Sequence, residues 1–264
     1  MKKFCILLFS FILFACATEE DPIKKEVKNM TSKEVYLLAN EALQKSNYER
    51  AIKLYNVLEL TYPYGLYAQQ GMLDLAYAYY KNSNIPMALA TLDQFILIYP
   101  TNLNKDYALY LKGIINYKGD DNVIFKYLRQ DPSELDIDNL KQSYFDFNQL
   151  VNEFPNSKYS LKANLYIKDI INSLAKSEIY KANYYMSIKA YLSAINHTQQ
   201  ILINYKGSIY IEEALAIEVV AYKNLSQNEL SSDTQKVLIL NFPNSKYITN
   251  PWRENSMSWY KIFN

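Results

Sequence analysis

The sequence predicts an all-α fold, a solenoid of about five helix pairs. Dipeptides of an aromatic residue and proline recur after stretches of helical periodicity, at Tyr62-Pro63, Tyr99-Pro100, Phe154-Pro155 and Phe242-Pro243. Alanines occupy matching places in the helices that these dipeptides close, with Ala39 and Ala51 in the first pair and Ala76 and Ala88 in the second. Because small side chains let two helix backbones approach closely, this spacing is typical of tetratricopeptide repeats.

The repeats are predicted at about residues 32–67, 68–104, 105–159, 160–210 and 211–247. Two of them depart from the regular pattern. The stretch from Lys118 to Asp138 is rich in turn residues and predicts a loop inserted into the third repeat. Leu161 to Met186 keeps a helical period without proline or glycine, which predicts one long helix. The alternative is two ordinary helices with a turn that the sequence does not mark.

Composition excludes several functional classes. The chain has 28 lysines and arginines against 27 acidic residues, and it lacks a basic block for a phosphate backbone, so nucleic acid is not an expected ligand. One histidine, and two cysteines that both lie within the first 16 residues, leave no expected metal or cofactor site. The spacing of the carboxylates selects no catalytic pair. The sequence therefore predicts a protein that is not an enzyme.

The first 15 residues predict a secretory signal peptide. A basic head, Met1-Lys2-Lys3, precedes an apolar run that is too short to span a bilayer. Leu13-Phe14-Ala15-Cys16 resembles the lipobox of bacterial lipoproteins, so Cys16 is expected to carry the lipid. The alternatives are an ordinary signal peptide and a short anchor helix. Residues 16–31 would then comprise the lipidated cysteine and a flexible, charged tether.

Two tyrosine-rich segments resemble a known family. They are Tyr62-Pro63-Tyr64-Gly65-Leu66-Tyr67 and the later Tyr77-Ala78-Tyr79-Tyr80-Lys81. Further agreement is found at Asp120-Asp121, Asp131-Pro132, Phe145-Asp146-Phe147 and Tyr184-Tyr185. Over about residues 33–247, and together with the lipobox, the sequence resembles the BamD family, the tetratricopeptide lipoproteins of the outer-membrane β-barrel assembly machinery.

The resemblance implies a non-catalytic lipoprotein anchored to the outer membrane and facing the periplasm. It would scaffold a BamA-like barrel subunit and engage unfolded outer-membrane proteins, with accessory lipoproteins as further partners. In the family, the N-terminal repeats, here 32–159, are associated with the substrate, and the C-terminal repeats, here 160–247, with the partner subunit. The alternative is a lipid-anchored scaffold for cell-envelope division or pilus biogenesis, which should lack the tyrosine-rich segments.

Tetratricopeptide geometry predicts a peptide groove along the first helix of each pair. The predicted lining residues are Tyr36, Asn40, Leu43, Leu73, Tyr77, Tyr80, Tyr107, Tyr110, Ile114 and Tyr117. A phenol ring offers flat apolar area and one hydrogen-bonding group, which suits an extended peptide with aromatic side chains. We therefore expect the groove to hold the C-terminal strand of a nascent barrel protein. The alternative is that individual tyrosines pack against the neighbouring repeat or reflect the tyrosine-rich composition.

His197 is a candidate partner-binding residue in the fourth repeat. Proteins similar to BamD can carry an arginine at this place, on a face thought to meet BamA. The difference matters because histidine cannot reproduce the bidentate contact of a guanidinium group at neutral pH. The alternative is an incidental surface histidine. Beyond the repeats, residues 248–264 contain Trp252 and Trp259 and are expected to cap the last repeat, or else to bind a partner.

Overall fold

The computed structural model describes residues 22–118 and 137–253, and in these ranges all regular secondary structure is helical. The helices are α1 (Pro22–Val27), α2 (Ser32–Gln44), α3 (Tyr48–Thr61), α4 (Leu66–Lys81), α5 (Ile85–Ile98), α6 (Lys105–Lys118), α7 (Ile137–Glu153), α8 (Ser160–Ser187), α9 (Tyr191–Asn204), α10 (Ile211–Asn224), α11 (Asn228–Asn241) and α12 (Lys246–Thr249). Helices α2 to α11 form five consecutive packed pairs, which confirms the predicted all-α class of tetratricopeptide-like repeats.

Small residues lie where the helices of a pair pack. Ala39, Ala51, Ala76 and Ala88 are all completely buried. The turns inside four of the pairs place Ser46, Ser83, Lys189 and Ser226 in the left-handed region, with φ between 59° and 61°. Asn47 and Asn84 follow the first two of these turns, and their side chains accept hydrogen bonds from the backbone N–H groups of the third residues of α3 and α5, Arg50 and Met87. Short polar turns therefore hold the paired helices antiparallel.

The chain divides into two compact units between Asn102 and Leu103. Unit 1 contains α1 to α5, and its two first helices, α2 and α4, contact each other directly. Unit 2 contains α6 to α12, in which α7 packs against both α6 and α8, and α9 packs against both α8 and α10. The functional division expected at residues 159 and 160 stays a prediction.

The long helix predicted in the fourth repeat is confirmed. Helix α8 runs for 28 residues from Ser160 to Ser187, which is twice the length of its partner α9. Its interior buries Ile170, Leu174 and Ile179. The predicted inserted loop lies almost wholly at 119–136, outside the described residues, as do the signal peptide and Cys16.

The tether expected up to residue 31 is partly wrong. Residues 22–27 form helix α1, which packs against α3 and buries Ile23 and Val27. Arg50 on α3 pairs with Glu26 at 2.6 Å, and the Tyr62 hydroxyl donates a hydrogen bond to the Met30 carbonyl at 2.6 Å. The spacing of Ile23 and Val27 places both on one helical face, so this segment is attached to the first repeat.

At the other end of the chain, Trp252 is 8% exposed and lies in the apolar core shared by α8 to α11. The other aromatic residues of the tail are beyond residue 253, outside the described part. Among the helices that the structure describes, none is both long and apolar enough to cross a membrane.

Candidate peptide and partner binding surfaces

The first helices of unit 1 place a cluster of polar and aromatic side chains on one face. We call this cluster the unit 1 face; it comprises Tyr36, Asn40, Gln44, Gln70, Asp74 and Tyr77. The Tyr36 hydroxyl on α2 donates to Asp74 Oδ2 on α4 at 3.0 Å. Gln70 Nε2 donates to Asp74 Oδ1 at 3.1 Å, and Gln44 Nε2 donates to Asn40 Oδ1 at 2.7 Å. Asp74 therefore joins the first repeat to the second.

Burial sets the electrostatics of this face. Desolvation raises the pKa of the Asp74 carboxyl, and the hydrogen bonds from Tyr36 and Gln70 oppose that rise. Burial, followed by the charge of Asp74, raises the pKa of Tyr36 well above its ordinary value. The Tyr36 ring also contacts Tyr67, at a centroid distance of 5.4 Å. Tyr36 is thus a neutral, oriented donor to a carboxylate.

The observed face differs from the predicted stripe by one residue. Leu73 is only 1% exposed and lies in the core, so its prediction as a lining residue is wrong. This side of α4 is lined by Gln70 and Asp74 together with the predicted Tyr77, at helical spacings of four and three. Tyr36, Asn40, Leu43, Tyr77 and Tyr80 are half-buried. Whether these residues bind a peptide stays a prediction.

The tyrosine-rich segments serve the fold as well as the face. Tyr62 contacts the Met30 carbonyl, and Gly65 directly precedes α4 with φ of +101°, a conformation that strains any residue with a side chain. In the second segment, Ala78 and Tyr79 are buried, and the Tyr79 hydroxyl lies 3.3 Å from Asn56 Nδ2 on α3. The Tyr77 hydroxyl makes no polar contact within the described residues, and this side chain lies on the face.

In unit 2, the predicted groove tyrosines contact aromatic rings on α8 or directly before it. Tyr110 stacks on Tyr159 with a centroid distance of 4.8 Å, and Tyr107 lies 5.7 Å from the same ring. Tyr117 lies 4.9 Å from Tyr166, and its hydroxyl donates to Asp169 on α8. Ile114, on the same helix as these three tyrosines, is half-buried. Tyr159 and Tyr166 therefore cover part of these tyrosine rings, and a peptide could contact only the part that stays exposed.

A buried polar cluster holds α6 and α7 in place beneath these tyrosines. Asn116 Nδ2 donates to Asp146 Oδ2 at 2.7 Å, and Lys112 Nζ lies 3.3 Å from Asp146 Oδ1. Burial raises the pKa of Asp146, and the Lys112 ammonium is the largest influence that opposes this rise. Ser143 Oγ donates to the Gly113 carbonyl at 2.8 Å. The Asp146 carboxylate is thus paired with the Lys112 ammonium group.

His197 is held in a well-defined position on α9. Its Nδ1 lies 2.6 Å from Glu178 Oε2 on α8, and its ring stacks on Tyr185 at 5.2 Å with an interplanar angle of 10°. Lys181 Nζ contacts the other oxygen of Glu178 at 2.6 Å. An ionised carboxylate only accepts hydrogen bonds, so this contact requires a proton on Nδ1 and leaves Nε2 as the second ring nitrogen.

Exposed apolar side chains lie around the turn between α8 and α9, the helix that carries His197. Tyr184 near the end of α8 and Ile188 directly after this helix are 53% and 54% exposed, and Leu192 at the start of α9 is 65% exposed. The Tyr184 ring packs edge-on against Tyr185 at 5.4 Å. We call Glu178, Lys181, Tyr184, Tyr185, Ile188, Leu192 and His197 the His197 surface. Sequence reasoning found only His197, although Tyr184 and Ile188 have the spacing of one helical face.

Comparison with known proteins identifies the family. Residues 28–238 match the model of the YfiO family, described as outer membrane lipoprotein. The outer membrane protein assembly factor BamD of Neisseria meningitidis serogroup B is 38% identical over the whole length of both chains. The factor of the same name from Vibrio cholerae is 31% identical over 89% of this chain and 96% of its own.

Among solved structures, a Podosopora anserina protein with nearly identical TPR-like repeats aligns with 83% of this chain and 97% of its own. Its TM-score of 0.34 and identity of 13% are too low to carry an argument. The sequence relatives establish the family, because the two BamD factors described above exceed 30% identity over most of both chains. The chain therefore belongs to the BamD family of outer membrane protein assembly factors.

Proposed function

We propose that this protein is a non-catalytic, lipid-anchored subunit of the outer-membrane β-barrel assembly machinery. In this role it engages unfolded outer-membrane proteins through the first helices of its repeats and scaffolds a BamA-like subunit through the His197 surface. The observation that carries the proposal is the similarity to BamD factors along the whole chain, at 38% identity. Tyrosine-rich faces and an ordered, partly exposed histidine are compatible with both contacts.

The anchor is proposed at Cys16, which places the protein on the outer membrane facing the periplasm. A diacylglycerol group joined to this cysteine by a thioether bond, with further acylation, supplies the two or more acyl chains that stable membrane attachment needs. The test is metabolic labelling with palmitate in the native host. The unsubstituted chain should incorporate label and fractionate with the outer membrane, whereas Cys16→Ser should lose both properties. Label that persists in the Cys16→Ser chain would contradict the anchor.

Substrate engagement is tested by photo-crosslinking in the native host. A probe at Tyr77 should capture unfolded outer-membrane proteins, and a probe at Lys53, exposed on the second helix of the first pair, should not. In binding measurements, the double variant with Tyr77→Ala and Tyr110→Ala should weaken binding of an outer-membrane C-terminal peptide. Tyr64→Ala is the matched control, because Tyr64 is 86% exposed and lies off the face. Unchanged binding in the double variant would remove the groove from the proposal.

The scaffold contact is tested at the second surface. A probe at His197 should capture a BamA-like subunit, whereas a probe at Lys236, exposed on α11, should not. Tyr185→Ala removes the ring on which His197 stacks and should weaken binding to that subunit several-fold, since stacked aromatic pairs orient interface side chains. Capture of division or pilus proteins at both probe sites would instead support the alternative scaffold.

A further inference from the structure

The unit 1 face presents hydrogen-bond acceptors and negative charge. We propose that it grips an extended segment of an unfolded outer-membrane protein by the main-chain N–H groups of that segment, and that it rejects the terminal carboxylate. This inference rests on the proposed engagement of unfolded proteins and specifies the chemical groups that are recognised. The relevant residues are Tyr36, Asn40 and Asp74.

The acceptors of this face have unused capacity. Each oxygen of Asp74 accepts one hydrogen bond, from Tyr36 or from Gln70, although an ionised carboxylate has about four acceptor positions. Asn40 Oδ1 likewise accepts one bond, from Gln44, and a carbonyl oxygen has two lone pairs. The Tyr36 hydroxyl, by contrast, already donates its one hydrogen to Asp74. An incoming group that donates hydrogen bonds therefore matches the face.

Charge supports the same conclusion. Within residues 22–118 and 137–253, no lysine or arginine pairs with Asp74, whereas Lys112 lies 3.3 Å from Asp146 in unit 2. Burial raises the pKa of both carboxyls, but a cation opposes that effect only at Asp146. A peptide carboxylate brought beside Asp74 would meet a like charge in a partly desolvated place, where repulsion is stronger than in water.

A buried hydroxyl lies beside the same cluster. Tyr55 is 1% exposed, and its ring lies 6.2 Å from the Tyr36 ring. Burial and then the charge of Asp74 raise the pKa of Tyr55, and a hydrogen bond with the Asn40 side chain opposes that rise. Because this hydroxyl is fully buried, an incoming peptide cannot reach it, so the proposed recognition depends on Asp74 and Asn40.

The aromatic side chains supply the remaining contacts. Tyr36 and Tyr67 form a tilted pair beside Asp74, and Tyr77 is half-exposed on the same helix as Asp74. In an extended segment, alternate side chains point to opposite sides while main-chain N–H groups lie at regular intervals. Acceptors flanked by flat rings thus fit a strand that binds through its backbone and packs its aromatic side chains beside it.

The test compares two forms of one probe on the full-length protein in detergent. The probe is a ten-residue peptide of alternating aromatic and polar residues that ends in phenylalanine, synthesised with a free carboxylate and as the C-terminal amide. The amide should bind more tightly than the acid, with an expected preference of about 3- to 10-fold. Asp74→Asn should remove this preference and weaken binding of the amide, whereas Glu59→Gln, a change elsewhere in unit 1, should alter neither.

The outcomes separate the two proposals. If the free acid binds as tightly as the amide, or more tightly, the rejection of the carboxylate is wrong, while peptide engagement stands. If the amide preference survives in Asp74→Asn, another group causes it and the assignment to Asp74 is overturned. If neither peptide binds and the Tyr77 probe captures no unfolded protein, substrate engagement itself fails. The comparison of acid with amide uses the unsubstituted chain, so it does not depend on a variant that folds.

Discussion

The Tyr36 hydroxyl donates a 3.0 Å hydrogen bond to Asp74 Oδ2, across the contact between the first helices of two successive repeats. These residues are 38 positions apart, about one repeat. Most packing between repeats is apolar and tolerates small sliding movements, whereas a hydrogen bond to a desolvated carboxylate fixes one geometry. This bond therefore orients the unit 1 face as well as stabilising it.

Removal of the hydroxyl should destabilise unit 1 measurably. Tyr36→Phe leaves a partly buried carboxylate oxygen without its donor, which costs about 1–3 kcal/mol in the free energy of unfolding. Urea denaturation followed by circular dichroism measures the change. Tyr77→Phe is the matched control, because the Tyr77 hydroxyl makes no hydrogen bond within the described residues, and it should change stability by less than about 0.5 kcal/mol. Equal losses in the two variants would show that the Tyr36–Asp74 bond contributes little.

Two helical glycines offer a paired test of packing. A Cβ added at Gly113 would lie 2.5 Å from Cε1 of the Phe147 ring, and one at Gly71 would lie 2.8 Å from the terminal Cδ2 of Leu58. Phe147 is fully buried and stacks on Tyr166 at 5.1 Å, so its ring has no room to move. The Leu58 methyl can rotate away, and alanine gains up to about 1 kcal/mol in helix propensity over glycine.

Gly113→Ala should therefore lower the stability of unit 2 by about 1–3 kcal/mol, whereas Gly71→Ala should be close to neutral. The measurement is the thermal unfolding midpoint of each variant. Gly113→Ala combined with Phe147→Leu should cost less than the sum of the two single losses, because the smaller side chain leaves space for the methyl group. A double variant less stable than the sum of its parts would contradict this steric account.

The repeats were predictable because their signals are local. Helical periodicity and aromatic-proline dipeptides depend on neighbours within a few residues, and α8 was found because nothing interrupts its pattern. Helix α1 was missed because six residues, with only Ile23 and Val27 apolar, hardly differ from a charged linker. It is stable in the structure because α3 provides the surface that buries both side chains.

The binding residues were less predictable because tertiary contacts select them. Leu73 and Asp74 are adjacent, and the helical period alone could not decide which of them α3 would cover. Asp74 became recognisable only when Tyr36 was found beside it. Similarly, the exposed Tyr184 and Ile188 could be assigned to one surface with His197 only because the His197 ring on α9 stacks on Tyr185 of α8.

Glu218 should make the stability of unit 2 depend on pH. It is 4% exposed on α10, and burial raises its pKa to about 7 from an ordinary 4.5, opposed by a 2.9 Å hydrogen bond from Thr198. Because the folded-state pKa is the higher one, the folded protein binds the proton more tightly. The contribution of Glu218 is most favourable below pH 4.5, declines between pH 4.5 and 7, and remains unfavourable above pH 7.

Glu218→Gln should therefore raise the free energy of unfolding at pH 8 by up to about 3 kcal/mol and change it little at pH 4.5. Urea denaturation at a series of pH values measures this difference. Thr198→Val should have the opposite effect, since it removes the donor to the ionised carboxylate, and its cost should be larger at pH 8 than at pH 4.5. A Glu218→Gln gain that is constant with pH would mean that Glu218 does not titrate in this range.

The attachment of α1 should be separable from the folding of the repeats. Replacing Ile23 and Val27 with serine removes the two side chains that α1 buries against α3, and the exposed Glu26–Arg50 ion pair contributes at most about 1 kcal/mol towards holding it. Hydrogen exchange followed by mass spectrometry should then show loss of protection at residues 22–30, while α2 to α5 stay protected. Lys24→Ser with Lys28→Ser is the control, since both lysines are exposed, and it should leave protection unchanged. Protection at 22–30 that survives the loss of Ile23 and Val27 would mean that the backbone contact from Tyr62 to Met30 suffices to hold the segment on the first repeat.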